Sequence, residues 1–536
     1  MKLTRKRKHT LFLINNEYFE YKVYLCDSKT DTSVLMRGRY IYFLLFIVFC
    51  LLTGCATSRQ RLKDKDRIPK REFRGAWIQT VFQGEYKDMS PSQMKTDFVR
   101  KLDFLQDCGI NAIVFQVRPE ADAFYLSELE PWSRFYTGTQ GLAPEGNFDL
   151  MAFLIAECHK RNMEFHAWLN PYRAAASATL EFAESHIVNT YPGRFVRYNN
   201  QILFDPGQPQ NRHFICDVVK DIVSRYDVDA IHMDDYFYPY PAAGVPFPDD
   251  KSFERYGKSK GYTEATRGDW RRENVNTLIK ELKQTIQAAK PWVRFGISPF
   301  GIYRNKKSTP DGSGSETSGL QNYDDLYADV LCWVEQGWID YNIPQLYWEI
   351  GHASADYVPL IKWWDAHAGD AHLYIGQDVA RTMKSDHLAQ KMEYARTYPH
   401  VGGNCFWPAN EILWNNKGVA DSLKQHYHRY PALIPAYTNM YDRSPEMVKN
   451  LKVEKQANGI MLNWNAASTS HYYVVYYFAK GEKVDLNNPK CIFEITQDAA
   501  CFLPYRNKGK DSFRVVVTAV DRYHNESKGE RIKLKL

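Results

Sequence analysis

Residues 230–241 read AIHMDDYFYPYP: a short apolar run, two adjacent aspartates, then aromatic residues broken by prolines. Four or five apolar residues closed by a proline-rich turn have the length of a buried strand, not of a helix. The same pattern recurs on both sides. Strands are expected at Arg74–Val81, Ala112–Arg118, Phe165–Asn170, Ala230–Asp234, Arg294–Ser298, Tyr341–Tyr347, His372–Gln377 and Gly403–Trp407. Amphipathic stretches fall between them, at Ser92–Cys108, Asp149–Arg161, Asn211–Tyr226, Trp270–Ala289, Tyr323–Gln336 and Ser385–Thr397. Strand and helix alternation argues for parallel strands joined by right-handed crossovers. Eight such units over residues 72–435 predict an α/β fold, a (β/α)8 TIM-type barrel with enlarged loops. An open doubly wound sheet is the competing architecture, but no glycine-rich phosphate loop follows the first strand.

Beyond Tyr437–Pro445 the pattern changes to short alternating strands, at Met461–Asn465, Tyr472–Tyr477, Cys491–Ile495 and Ser512–Val520. Residues 446–536 therefore read as a small all-β sandwich domain. Trp464, the YYVVYY strand and the VVVTAVDRYHNES ending resemble a fibronectin type III module.

The N-terminus carries an export pattern. Arg37 and Arg39 precede the apolar run IYFLLFIVFCLL at residues 41–52, which ends in Leu52-Thr53-Gly54-Cys55. A run of that length is too short for a comfortable membrane span, which needs about 20 residues, and has the layout of a signal peptide. The ending resembles the lipobox of bacterial lipoproteins, which implies cleavage before Cys55 and a lipidated cysteine. Met36 stands just before the basic flank and is expected to be the true start, with residues 1–54 removed as signal. Residues 55–71 are polar and charged and read as a lipidated tether.

This segment also explains the charge. The formal charge is +6, but residues 1–54 hold nine Lys/Arg against four Asp/Glu, and the remainder holds 60 against 59. The mature chain has no electrostatic case for a nucleic-acid partner. Ten cysteines fall to seven beyond Cys55, none in a CxxC pair. Cys491 and Cys501 are the single pair considered for a disulfide.

Polar residues gather at the C-terminal ends of the expected strands, where barrel enzymes keep their chemistry. Alternation along a strand puts Gln116 with Arg118, His166 with Trp168 and Asn170, His232 with Asp234, and Gln345 with Tyr347 and Glu349 on the inward side. Asp235 falls on the far side of the pleat or in the turn. Two carboxylates from different strands between aromatic walls are what glycoside hydrolysis needs. Asp234 is expected as nucleophile or base, and Glu349 as general acid, desolvated by Tyr347 and Trp348; the roles are exchangeable at this stage. Glu120 and Asp122 are further acids, with Arg118 beside them as an expected ion-pair partner. His166 and His232 lack metal-ligand spacing and are expected to bond sugar hydroxyls or carboxylates. No metal and no cofactor are expected. Trp168, Tyr172, Tyr236, Tyr238, Tyr303, Trp348 and Trp407 are candidate stacking platforms, and Arg173 ends the third strand's polar run.

The stretches FRGAWIQTV, NAIVFQVRPEADAFY, WLNPYRA, IHMDDYFYPYP, GISPFGIYRN and PQLYWE, in this order, resemble the glycosyl-hydrolase-like 10 family of bacterial envelope lipoproteins. The resemblance implies a catalytic barrel, and some members cleave peptidoglycan glycan strands that have lost their stem peptides. Only Asp234, Asp235 and Glu349 are carried over as matched acids. The chain departs from glycosidases whose two catalytic glutamates follow strands four and seven, since strand four here ends in aspartates. The expected function is an envelope glycoside hydrolase acting on peptidoglycan glycan, lipid-anchored and facing the periplasm. The alternative is a non-catalytic carbohydrate-binding lipoprotein of a polysaccharide-uptake system. The C-terminal module is expected to be able to hold an envelope protein partner.

Overall fold

The computed structural model describes residues 68–506 and 509–536. Cys55, the signal segment and residues 55–67 of the expected tether lie outside the described residues. In chain order the strands are β1 (Phe73–Ile78), β2 (Ala112–Arg118), β3 (Glu164–Leu169), β4 (Arg173–Ala175), β5 (Phe195–Tyr198), β6 (Gln201–Phe204), β7 (Ala230–Met233), β8 (Arg294–Ile297), β9 (Tyr341–Asn342), β10 (His372–Asp378) and β11 (Val401–Trp407). Beyond them come β12 (Lys449–Gln456), β13 (Gly459–Asn465), β14 (Tyr472–Ala479), β15 (Ile492–Thr496), β16 (Ala500–Pro504), β17 (Ser512–Val520) and β18 (Glu530–Lys535).

Eight of them close a parallel barrel in the order β1-β11-β10-β9-β8-β7-β3-β2, with β2 returning to β1. All eight expected strands are present. Parallel strands covered on both faces read as largely apolar runs, and β1, β2, β3, β7 and β8 are buried at every position, their few polar residues included. β9 is shorter than expected because Pro344 has no N–H to give the ladder; Gln345 regains single bridges to Phe300 and Gly376.

Helices pack outside. Pro91–Asp107 starts at a Ser90 cap whose partner Gln93 closes a capping box, and it buries Met94, Phe98, Leu102 and Leu105 against the strands. The expected helix over residues 323–336 is broken in two, at Asn322–Asp325 and Val330–Glu335. After β3 the chain adds a small antiparallel sheet, β4-β6-β5, at the C-terminal end of the barrel.

The barrel interior holds Phe73, Trp77, Val114, Trp168, Tyr341, Tyr374 and Cys405. Gly296 is required by this packing, since a Cβ there would lie 2.0 Å from the Tyr341 ring.

The C-terminal residues form two antiparallel sheets, β12-β13-β16 and β15-β14-β17-β18. Leu462, Trp464, Tyr473, Val475, Val515 and Val517 fill the space between them. The other face of the larger sheet carries Tyr472, Val474, Tyr476, Val516 and Val520 and packs on Leu433. From Ile68 to Leu536 the chain is thus one compact unit. The last four residues of the expected tether belong to this unit. Ile68 is buried, Lys70 pairs with Glu526, and Arg71 bridges Leu433. Cys491 and Cys501 do not pair: both are free thiols, packed in different clusters of the sandwich.

Candidate active site

The C-terminal mouth of the barrel gathers the site. β7 ends at Met233 and delivers Asp234 directly above the interior. Its carboxylate accepts from Trp168 Nε1 at 3.0 Å and from Asn170 Nδ2 at 3.3 Å, both on the neighbouring β3 side. Strand alternation brings these three side chains together, as the sequence parity requires. Burial raises the Asp234 carboxyl to about 7; Arg173 opposes the rise and the neighbouring Asp235 adds to it.

Asp235 is also buried, at 2% exposure. It turns into the site, where Tyr240 donates its hydroxyl to it and the Gln345 side chain reaches it. Burial raises its carboxyl above the ordinary range against these bonds. Gln345 also donates Nε2 to the Ser298 carbonyl at 2.9 Å, so the ends of β8 and β9 are tied to the Asp235 turn.

Aromatic rings line the rim. Tyr236 stacks on Tyr240 at 5.4 Å, Tyr240 meets Phe300 edge-on at 5.9 Å, and Phe300 meets Trp348 edge-on at 5.3 Å. Tyr236 and Tyr240 are 38% and 37% exposed, side by side on the rim and open to solvent. Arg173 lies 5.6 Å over the Tyr236 ring and is anchored by Nε to the Pro119 carbonyl. On the other side Trp407 meets Trp168 edge-on at 5.9 Å. Tyr347 faces Asp235 and Tyr236. Glu349 is half-buried, and its charge acts on the amine of the buried Lys391, which burial pushes down to about 8 while Asp378 and Glu349 pull it back.

Several expected residues lie elsewhere. A bulge in β2 between Gln116 and Arg118 turns Arg118 off the inward side. Its guanidinium makes a buried two-pronged pair with Glu130, not with Glu120 or Asp122. Glu120 pairs instead with Arg134, and Asp122 accepts from Gln140 and from the Glu120 amide. Burial, with Glu120 beside it, pushes Asp122 up to about 7. Gln116 uses its oxygen to accept the Thr80 and Val81 amides and so braces the first loop.

His166 and His232 point inward as expected, but they are fully buried in the barrel axis and bond Tyr341, Glu164 and Ser298, out of reach of a sugar. Tyr172 and Tyr303 follow turns, where alternation no longer governs direction. Tyr172 is buried in the outer core, and Tyr303 donates to Asp329 and stacks on Trp363. Tyr238 is buried against Phe247 and Tyr327. Sequence reasoning missed Tyr240, Phe300 and Ser298 as members of the site. The aromatic run around Tyr236 was the available signal for Tyr240.

The family model described as glycosyl hydrolase-like 10 matches residues 72–395, which takes in every strand-end side chain just described except Trp407. The chain belongs to this family. Similar proteins extend the match. A Bacillus subtilis (strain 168) protein named glycosyl hydrolase YngK is 38% identical over 483 residues, covering 86% of this chain and 93% of that protein. Glycosyl hydrolase DigH of Escherichia coli (strain K12) is 37% identical over 312 residues, 54% of this chain and 69% of its own length. Among solved structures, the PgaB (BpsB) glycoside hydrolase domain from Bordetella bronchiseptica aligns with 66% of this chain and 99% of its own at a TM-score of 0.41 and 11% identity.

Proposed function

We propose that this glycosyl hydrolase-like 10 protein hydrolyses glycosidic bonds in peptidoglycan glycan strands. The observation that carries the hydrolase reading is Asp234: a carboxyl raised to about 7, held by Trp168 and Asn170 at the C-terminal mouth of the barrel. A group with that pKa is protonated often enough at neutral pH to give a proton to a leaving oxygen, and regains it from water afterwards. This exchanges the roles expected from sequence. Asp234 is the general acid, and Glu349 supplies the carboxylate that attacks the anomeric carbon or activates water. Asp235, tied to Tyr240 and Gln345, holds the turn that presents Asp234.

The choice of peptidoglycan rests on the family resemblance, and the exposed Tyr236–Tyr240 pair suits the flat faces of pyranose rings. The protein acts from the envelope, anchored through a lipid on Cys55 and facing the periplasm. The C-terminal sandwich, with three strands against four and Trp464 in its core, supports a fibronectin type III-like module.

The test is incubation of the chain from Ile68 with denuded and with intact glycan strands, beside Asp234→Asn and Glu349→Gln. New reducing ends from the unmodified chain alone are the expected result. Failure of all three proteins on both substrates overturns the hydrolase reading, and glycan binding that survives both substitutions favours a carbohydrate-binding lipoprotein.

A further inference from the structure

Among the described residues four arginines are buried: Arg74, Arg118, Arg173 and Arg294. Three of them meet a carboxylate. Arg74 holds Glu72 at 2.8 Å, Arg118 holds Glu130 at 2.6 Å, and Arg294 pairs with Glu164. Arg173 has no carboxylate within ion-pair distance among the described residues. Its Nε donates to the Pro119 carbonyl at 2.9 Å, and neither Nη1 nor Nη2 finds an acceptor there. A buried charge without a counter-charge is costly, and such groups are ordinarily paired or bound to something.

The surroundings hold this cation in place instead of relieving it. The Arg173 amide donates to Asn170 Oδ1 at 2.9 Å, while Nδ2 of the same Asn170 lies 3.3 Å from Asp234. The loop after β2, through Pro119, and the end of β3, through Asn170, thus fix both the backbone and the plane of the guanidinium. The residue is only 7% exposed, yet its two Nη atoms are not sealed from solvent, unlike the spare Nη2 of Arg74. They open on the barrel mouth. The guanidinium carbon lies 5.6 Å from the centre of the Tyr236 ring, and the charge pulls Asp234, Asp235 and Tyr236 down against burial.

The two aspartates do not supply the missing anion. Asp234 directs its oxygens to Trp168 and Asn170, Asp235 accepts from Tyr240, and burial favours the neutral form of both. The free edge of the guanidinium, with two parallel N–H groups in a fixed plane, matches the two oxygens of a carboxylate. A neutral group in the same place would cover the cation without pairing it, so the arrangement rejects as well as attracts.

We propose that Arg173 is the specificity-determining residue of the cleft and binds a carboxylate carried by a sugar ring of the substrate, in the subsite beside Asp234. The proposal rests on the glycan reading above for placing a saccharide in this cleft; the carboxylate preference itself needs no turnover. In a peptidoglycan strand the matching group is the lactyl carboxylate of N-acetylmuramic acid, which is free where the stem peptide is gone and an amide where it remains. A uronic acid carries its carboxylate on C5 of the ring instead.

The experiment titrates three oligomers of equal length into the Glu349→Gln form of the chain from Ile68, which leaves Asp234 and Arg173 in place, and reads binding by calorimetry. The oligomers are peptide-free N-acetylglucosamine–N-acetylmuramic acid, the same with its carboxylates converted to amides, and N-acetylglucosamine–glucuronic acid. The muramic acid oligomer should bind about tenfold tighter than its amide, the worth of a hydrogen-bonded charge. Adding Arg173→Gln should bring the two within about twofold by weakening the acid alone, and Arg173→Lys, with the charge but not the fork, should fall between. Equal affinity for acid and amide in the Glu349→Gln chain overturns the proposal, as does binding of none of the oligomers or a preference that survives Arg173→Gln. Equal loss of acid and amide in Arg173→Gln also overturns it, since Arg173 would then serve Asp234 alone. Should Arg173→Gln not fold, an acid preference unchanged in Arg173→Lys overturns it.

Cleavage by the chain with Glu349 intact keeps the two readings apart. If the acid preference depends on Arg173 and no new reducing ends form, the hydrolase reading falls and the carboxylate subsite stands. If acid and amide are cleaved alike with and without Arg173, the subsite falls and the hydrolase reading stands. A glucuronic acid oligomer that binds tighter than the muramic acid one, and only with Arg173 present, supports the subsite and overturns the choice of peptidoglycan.

Discussion

The two ends of the barrel both bury carboxylates, and they treat them in opposite ways. At the base, burial alone would raise Glu72, but Arg74 and Arg396 outweigh it and hold it down to about 2. Asp229 is held to about 2 in the same manner, burial being overcome by His159, and Arg294 with His524 hold Glu164 well below the usual carboxylate range. At the mouth, burial wins: Asp234 and Asp122 reach about 7, and Asp235 is raised as well. The base thus uses its cations to neutralise these acids, whereas at the mouth Asp234, Asp235 and Asp122 are left under-compensated, although Glu120 and Glu130 there have arginine partners. An under-compensated buried acid is a poor way to stabilise a fold and a good way to hold a transferable proton. The difference separates the end that keeps the barrel together from the end that acts.

The largest effect should come from Asp234→Asn. Loss of a general acid costs about 10³ in kcat, measured as new reducing ends per enzyme. The same substitution should stabilise the protein in neutral solution. A carboxyl whose folded pKa is raised from 3.8 to about 7 contributes stability that is complete below about 4 and is lost as pH rises to 7. The asparagine variant should therefore gain roughly 2–4 kcal/mol over the unmodified protein at pH 8, shrinking to nothing by pH 4, in denaturant midpoints. A variant no more stable at pH 8 would break the contrast between the two ends.

Glu72→Gln tests the base with the opposite sign. The substitution leaves Arg74 and Arg396 without their carboxylate, and breaking a buried pair costs about 3–5 kcal/mol. Because the folded pKa lies below the ordinary 4.5, the loss is full at pH 7 and fades as pH falls from 4.5 towards 2. Turnover per folded molecule should not change.

The sequence carried more of the scaffold than of the wiring. All eight barrel strands were legible because each is an apolar run covered on both faces, and the one badly bounded strand, β9, is cut short by Pro344. Trp168, Asn170 and Asp234 were legible as one group because period-two alternation holds to the ends of β3 and β7. Arg118 was not, since a bulge reverses parity without marking itself in composition. Tyr172, Tyr238 and Tyr303 failed for a related reason: beyond the strand end, turn geometry and not alternation sets direction. Tyr240 and Asp235 meet through such a turn. The contact of His524 with Glu164, 360 residues apart, depends on how two domains dock, and no local pattern reports that.

The smallest effects separate the two ends by their aromatic residues. At the base, Tyr437 is fully buried and its hydroxyl lies 2.8 Å from that of Tyr374. Tyr437→Phe removes one hydrogen bond and keeps the ring, so it should cost about 1 kcal/mol of stability and leave KM where it was. At the rim, Trp348 is half-buried and touches Phe300 by an edge. Trp348→Ala should raise KM for glycan about fivefold, the worth of one stacking contact of about 1 kcal/mol. Its stability cost should stay near that of Tyr437→Phe, although far more of the side chain has been removed. A rim aromatic whose loss costs several kcal/mol of stability and leaves KM untouched is core, and the Tyr236–Tyr240–Phe300–Trp348 wall would then need no sugar to explain it.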